Sequence, residues 1–162
     1  VRAMTWGEVN LDDAVWAVLG KRMKAKAAHS VPLSVRAVEI LQAQKDAAAH
    51  ATLVFPSPSG KVPSDMILTE FLRGINAPSS EPGRTATAHG FRSAFRDWAS
   101  ESGYPRDYAE RALAHTISSQ TEAAYHRTDL LDQRRPMMEV WAQYVCGLGG
   151  QSGNVVSIKG RA

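Results

Sequence analysis

The chain has 162 residues, of which 44% are hydrophobic and 22% charged. Its 19 Lys and Arg against 16 Asp and Glu leave a net charge of +3. That composition excludes wholesale disorder and fits one compact domain with a core of its own. No run approaches the roughly 20 apolar residues that a membrane span needs, and the first residues carry no signal-peptide pattern. A single cysteine, Cys146, excludes an internal disulfide framework and a Cys-based zinc site. These features favour a reducing, cytoplasmic setting. The small positive excess permits a polyanionic partner without demanding one.

In chain order, residues 14–19 form an apolar run of strand length, and residues 29–33 form a shorter one. The basic connector Gly20-Lys21-Arg22-Met23-Lys24-Ala25-Lys26 between them predicts a hairpin or small sheet with a cationic tip. Ser34 fits an N-cap, and Val35, Val38 and Leu41 then recur at helical spacing to about Ala49. After the turn at residues 56–60, Ser64 and Asp65 can cap another helix, whose buried face the spacing assigns to Ile67, Phe71 and Ile75. Residues 77–83 end it as a loop. A helix from about Ala88 to Ser102 turns Phe91, Phe95 and Trp98 toward the core. Pro105 can occupy the first position of a further helix. Ser119 to Glu122 fits a capping box, which puts Tyr125 inside the helix that follows. A last helix includes Met138, Trp141 and Val145 and can stop at Gly147, and the Gly/Ser-rich tail reads as loose. The fold class predicted is mainly α, with a small antiparallel β-sheet near the N-terminus.

Several side chains suit chemistry. His89, Arg92 and Arg96 stand at i, i+3 and i+7 opposite the aromatic stripe, so one face offers cations while the other anchors the helix. An arginine fork donates two parallel hydrogen bonds to a phosphate and stays charged. Each residue also has a plainer account: a solvated basic face for this trio, a helix-end cap for His115, half-buried packing for Tyr125 and a solvated turn for Lys24. The sequence offers no carboxylate/His cluster with metal-ligand spacing, so neither a metal nor a cofactor is expected.

Taken in order, the set is more specific. Lys24 with its exit strand from His29, then Thr87-Ala88-His89-Gly90-Phe91-Arg92, then Leu113-Ala114-His115, then Ala123-Ala124-Tyr125-His126-Arg127, resembles the catalytic domain of tyrosine recombinases. The likeness is to the phage-type integrases of prophages and genomic islands, and it runs from Thr5 to the last helix. The resemblance implies the catalytic-domain fold of that family and a metal-free reaction. In it Tyr125 is the nucleophile, Arg92 clamps the nonbridging phosphate oxygens with help from His115, Lys24 protonates the leaving 5′ oxygen, and His89 assists proton transfer at Tyr125. A 3′-phosphotyrosine intermediate, double-stranded DNA attachment sites, a synaptic tetramer and accessory DNA-bending or directionality proteins are implied with it. So is a place at the nucleoid of a bacterial cell.

One family element has no counterpart. An earlier catalytic arginine belongs in a Gly-x-Arg-x-x-Glu phrase, yet Thr5 stands where its Glu should be, so Arg2 does not fit. The expectation is a catalytic domain over residues 1–148 that lacks its first helical segment, and a flexible or protomer-swapping tail over 149–162. Such a piece is expected to show little activity by itself. Two rival functions remain open on the sequence. A metal-free phosphodiesterase would use His89, His115 and Lys24 with water, and a non-catalytic DNA-binding module would need only the basic face.

Overall fold

The computed structural model describes residues 1–23, 25–115 and 128–147. Lys24, the segment with the expected capping box and Tyr125, and the tail from residue 148 lie outside the described residues.

The N-terminal unit is built around a small sheet. A 3-10 turn at Trp6–Glu8 leads into β1 (Val9–Asn10), and β2 (Val15–Val18) and β3 (His29–Pro32) complete an antiparallel sheet in the order β1-β2-β3. Trp16 lies opposite Val9 on one side and Val31 on the other. The apolar stub at Leu53 pairs with Thr5, which closes Met4, Leu41 and Val54 into a buried cluster beneath Trp6, Trp16, Leu33 and Phe55. Between β2 and β3 a second 3-10 turn, Gly20–Arg22, folds tightly. A Cβ on Gly20 would lie 2.4 Å from the Lys26 carbonyl oxygen, so only glycine fits there. Glu8 anchors the start of this connector. Its carboxylate is nearly buried, pairs with Arg22, and accepts from the Thr5 backbone N–H at 3.2 Å.

The helices agree in part with the periodicity. Helix α1 (Val35–Asp46) starts at the expected cap, with Ser34 Oγ accepting from Ala37 N at 3.2 Å. It ends short of Ala49 because the chain turns left-handed at Ala48. Helix α2 (Ile67–Gly74) corrects the sequence reading: it buries Leu72, whereas Ile67, Phe71 and Ile75 are 43%, 61% and 58% exposed. Its spacing marks an apolar stripe, but spacing does not say whether another element covers it. Helix α3 (Gly90–Glu101) buries Phe95, Trp98 and Ala99 as the stripe requires. Phe91 is the exception, 57% exposed beside the 77–87 loop, because it sits in the first turn, ahead of the part of α3 that packs into the core. Pro105 caps α4 (Arg106–Ala112) instead of occupying its first position. Helix α5 (Leu131–Val145) stops before Gly147, whose φ of +65° is the left-handed turn anticipated for it.

A second core joins α3, α4 and α5. Phe95, Trp98, Ala109 and Met137 are buried in it. Trp141 meets Phe95 edge-on at 5.3 Å and lies 5.0 Å from Trp98. Helix α5 also packs on β3 and α1, so it holds the two cores together. Two polar ties reinforce it: Arg135 donates to the Ala14 carbonyl at 3.3 Å, and Glu139 accepts from Val35 N at 2.9 Å. The described residues thus form a mainly helical fold with a small antiparallel sheet near the N-terminus. Among them no helix is long and apolar enough to cross a membrane, and no group of three or more His, Cys, Asp or Glu is placed to hold a metal ion.

Candidate active site

The site starts from the way α4 ends. Leu113 caps the helix and Ala114 adopts φ +51°, the left-handed conformation usually left to glycine. His115 N then donates to the Glu110 carbonyl at 2.9 Å and Ala114 N to the Arg111 carbonyl at 3.0 Å, a paired closure of the helix end. This throws His115 off the helix axis and brings its side chain back over α4. There Nδ1 lies 2.5 Å from Glu110 Oε2.

Helix α3 docks on the same helix end. Arg96 Nε donates to Glu110 Oε1 at 2.7 Å, and Arg92 Nη2 donates to the Leu113 carbonyl at 2.7 Å. The predicted basic face is therefore no solvated strip: both of its arginines are aimed by α4. Arg92 remains exposed, and its bond to Leu113 fixes the direction of the rest of the fork. Burial alone would raise the Glu110 carboxyl, but the hydrogen bonds from His115 and Arg96 outweigh it and hold it below the ordinary carboxylate range. A charged Glu110 accepts from Nδ1, so His115 can also donate from Nε2 only when both ring nitrogens carry a proton.

Arg92, Glu110, Leu113, Ala114 and His115 line an open cleft of about 740 Å³ together with Met23 and Ala25. Those last two are the immediate chain neighbours of Lys24. Of the five residues singled out in the sequence, the structure brings Arg92 and His115 together. His89 is exposed at the N-cap of α3, three residues before Arg92, and does not line the cleft. Lys24 and Tyr125 lie outside the described residues. Arg2 donates to the Pro63 carbonyl at 2.8 Å and is not among the lining residues. A more apolar groove between α1 and α5, floored by Val35, Val38 and Pro136, contains none of the five.

Sequence reasoning missed Glu110 and the work of Arg96. The available signal was faint: an acid on a short helix, five residues before His115. Nothing in the chain order says that it meets Arg96 from another helix.

The described residues thus set a three-stranded sheet against a helical body and bring an arginine and a histidine together at one open cleft. The profile of the phage integrase family matches residues 1–130, and the chain belongs to that family. Prophage integrase IntA of Escherichia coli (strain K12) is 34% identical over 155 residues, covering 93% of this chain and 35% of that protein. Prophage integrase IntZ of the same strain is 34% identical over 156 residues, or 95% and 37%. The integrase of Enterobacteria phage P4 is 32% identical over 161 residues, or 90% and 36%. The chain thus spans little more than a third of the length of the curated relatives it matches. No solved structure matches it significantly.

Proposed function

We propose that this chain supplies the strand-transferring site of a site-specific DNA recombinase, used to integrate or excise a mobile element. The observation that carries this reading is the cleft, in which Arg92 and His115 converge beside both chain neighbours of Lys24. Residues 1–148 act as the catalytic domain. The DNA substrate is a pair of double-stranded attachment sites, on which protomers assemble as a tetramer, with accessory proteins setting direction.

The reaction follows from what a phosphodiester needs. Its charge repels nucleophiles and its alkoxide is a poor leaving group. Arg92 and His115 donate to the nonbridging oxygens, where charge builds in the transition state. The Tyr125 oxygen attacks phosphorus and its proton passes toward His89, while the phosphorus–O5′ bond breaks and Lys24 protonates the departing oxygen. The DNA then carries a 3′-phosphotyrosine and a free 5′-hydroxyl. Attack by a 5′-hydroxyl from the other duplex reverses the steps and rejoins the strands. One phosphoester replaces another, so no nucleotide cofactor is consumed and no metal is called for.

The test is Tyr125→Phe in the gene's full product, on a suicide substrate carrying the attachment site. Adducts that survive SDS should vanish while DNA binding holds, because affinity comes mostly from phosphate contacts elsewhere. Cleavage by the parent without any adduct would point to hydrolysis by water and overturn the proposal.

A further inference from the structure

We propose that Arg134 is a positioning residue for strand transfer: its buried guanidinium ties the entry of α5, which follows the Tyr125 segment in the chain, to β3, the strand that follows Lys24 in the chain. This rests on the recombinase reading above. Arg134 is completely buried, yet it stands on the first turn of α5, a helix whose neighbouring positions 132, 133 and 135 are exposed or half-exposed.

Its contacts run to two places that the reaction must hold in register. Nη2 donates to the Ser30 carbonyl on β3 at 2.8 Å and lies 3.6 Å from Asp129 Oδ2. In the chain, β3 is the strand that follows Lys24, and Asp129 comes four residues after Tyr125. The junction between Asp129 and α5 is strained. Leu130 sits at φ +53°, a conformation that costs an L-residue about 1–2 kcal/mol. Arg134 grips this junction twice, since its backbone N–H also bonds the Leu130 carbonyl at 2.9 Å. Asp129 Oδ1 takes the Leu131 N–H at 3.0 Å, which leaves the other oxygen facing the guanidinium.

Stability does not explain an arginine here. Among the described residues Nε and Nη1 are buried without an acceptor, as is Nε of Arg111 on α4. Burial works against the charge of Arg134, and the nearby Arg111 adds to that effect, against the pull of Asp129. Burial and the Arg134 charge likewise hold His29 toward its neutral form. Well-packed hydrocarbon in place of buried charge is commonly neutral or stabilising, and the Asp129 carboxylate left behind is half-exposed, so no charge is stranded in the core. Hydrocarbon, however, holds neither a carbonyl nor a carboxylate in place. The guanidinium does both, and so sets the approach to α5 against β3.

The experiment compares the parent, Tyr125→Phe, Arg134→Met and Asp129→Asn in the gene's full product. It measures melting temperature, affinity for attachment-site DNA, and the rate constant of SDS-resistant adduct formation at saturating DNA. Arg134→Met should melt no lower and bind DNA equally. Its rate constant should fall about 10²-fold, the scale of a roughly 1 Å misplacement of reacting groups. Asp129→Asn keeps the acceptor for Leu131 N but loses the charge, and should show a smaller loss of rate with unchanged melting. A parent that forms no Tyr125-dependent adduct sinks the recombinase reading itself. A parent that does, beside Arg134→Met at the parental rate, sinks only the positioning role. Losses of rate, affinity and melting temperature in step would make Arg134 a packing residue and overturn the proposal. Should Arg134→Met fail to fold, a parental rate in Asp129→Asn overturns it just as well.

Discussion

Glu110→Gln isolates the piece of the site that the sequence did not announce. The amide has almost the shape of the carboxylate and can still offer an oxygen to Arg96 Nε, now 2.7 Å from Oε1. On the other side, an NH2 then faces His115 Nδ1, where a carboxylate oxygen stands at 2.5 Å. The amide therefore favours a neutral ring with its one proton on Nε2, a weaker donor than the doubly protonated ring that a carboxylate at Nδ1 supports. A hydrogen bond with one ionised partner contributes about 1.5–3 kcal/mol. If His115 needs that bond to present a donor to the phosphate, the whole amount is lost in the transition state, roughly a 10- to 150-fold slower step. The assay is single-turnover formation of the covalent adduct at saturating DNA, with affinity measured separately. Affinity should hold, because Glu110 makes no phosphate contact in this reading. An unchanged rate constant would refute the idea that Glu110 makes His115 the stronger, doubly protonated donor, and would return His115 to the role of a helix-end cap.

Ala114→Gly should raise stability in urea by up to about 1 kcal/mol, since glycine adopts φ +51° without the Cβ clash and loses part of that gain through its looser unfolded chain. Acid unfolding should report Glu8: burial raises its carboxyl, but bonds from Arg22, Thr5 and Trp16 outweigh it and hold it below the ordinary range. Its stabilisation is complete above about pH 4.3 and is lost as pH falls through the depressed folded value, so Glu8→Gln should flatten that limb of melting temperature against pH. Phe71→Ser, on the exposed stripe of α2, should change stability by less than about 0.5 kcal/mol in the same urea titration. A loss of several times that amount would mean the stripe is covered after all.

Local rules read well from the sequence and partnerships did not. Ser34 was legible as a cap because its acceptor duty lies three residues away, and Gly147 because a left-handed helix exit is written into one residue. Phe95 and Trp98 were legible because α3 lies between partners that fill its apolar side. Phe71 obeys the same periodicity, yet among the described residues no partner covers it, and periodicity along one helix says nothing of its neighbours. In the site, the order of motifs marked Arg92 and His115, whereas Glu110 joins residues 14 positions back and five ahead, which no spacing rule foresees. Arg134 is a stronger case. A charged residue in a run of charges reads as surface, and only the pairing of α5 with β3, 104 residues apart, buries it.

The placement of α5 also bears on synthesis. Hydrogen bonds from α5 to the N-terminal unit span 104 residues from Arg134 to Ser30 and 121 from Arg135 to Ala14. A ribosome adding about 5–20 residues per second therefore leaves β3 waiting on the order of 5–20 s for its partner helix. During that interval the aromatic face of α3 and the open side of the sheet are bare, and a nascent chain in that state is a natural client for holding chaperones. A premature stop between His115 and Leu131 would release a chain that keeps Arg92, Glu110 and His115 but never acquires the helix that seats them.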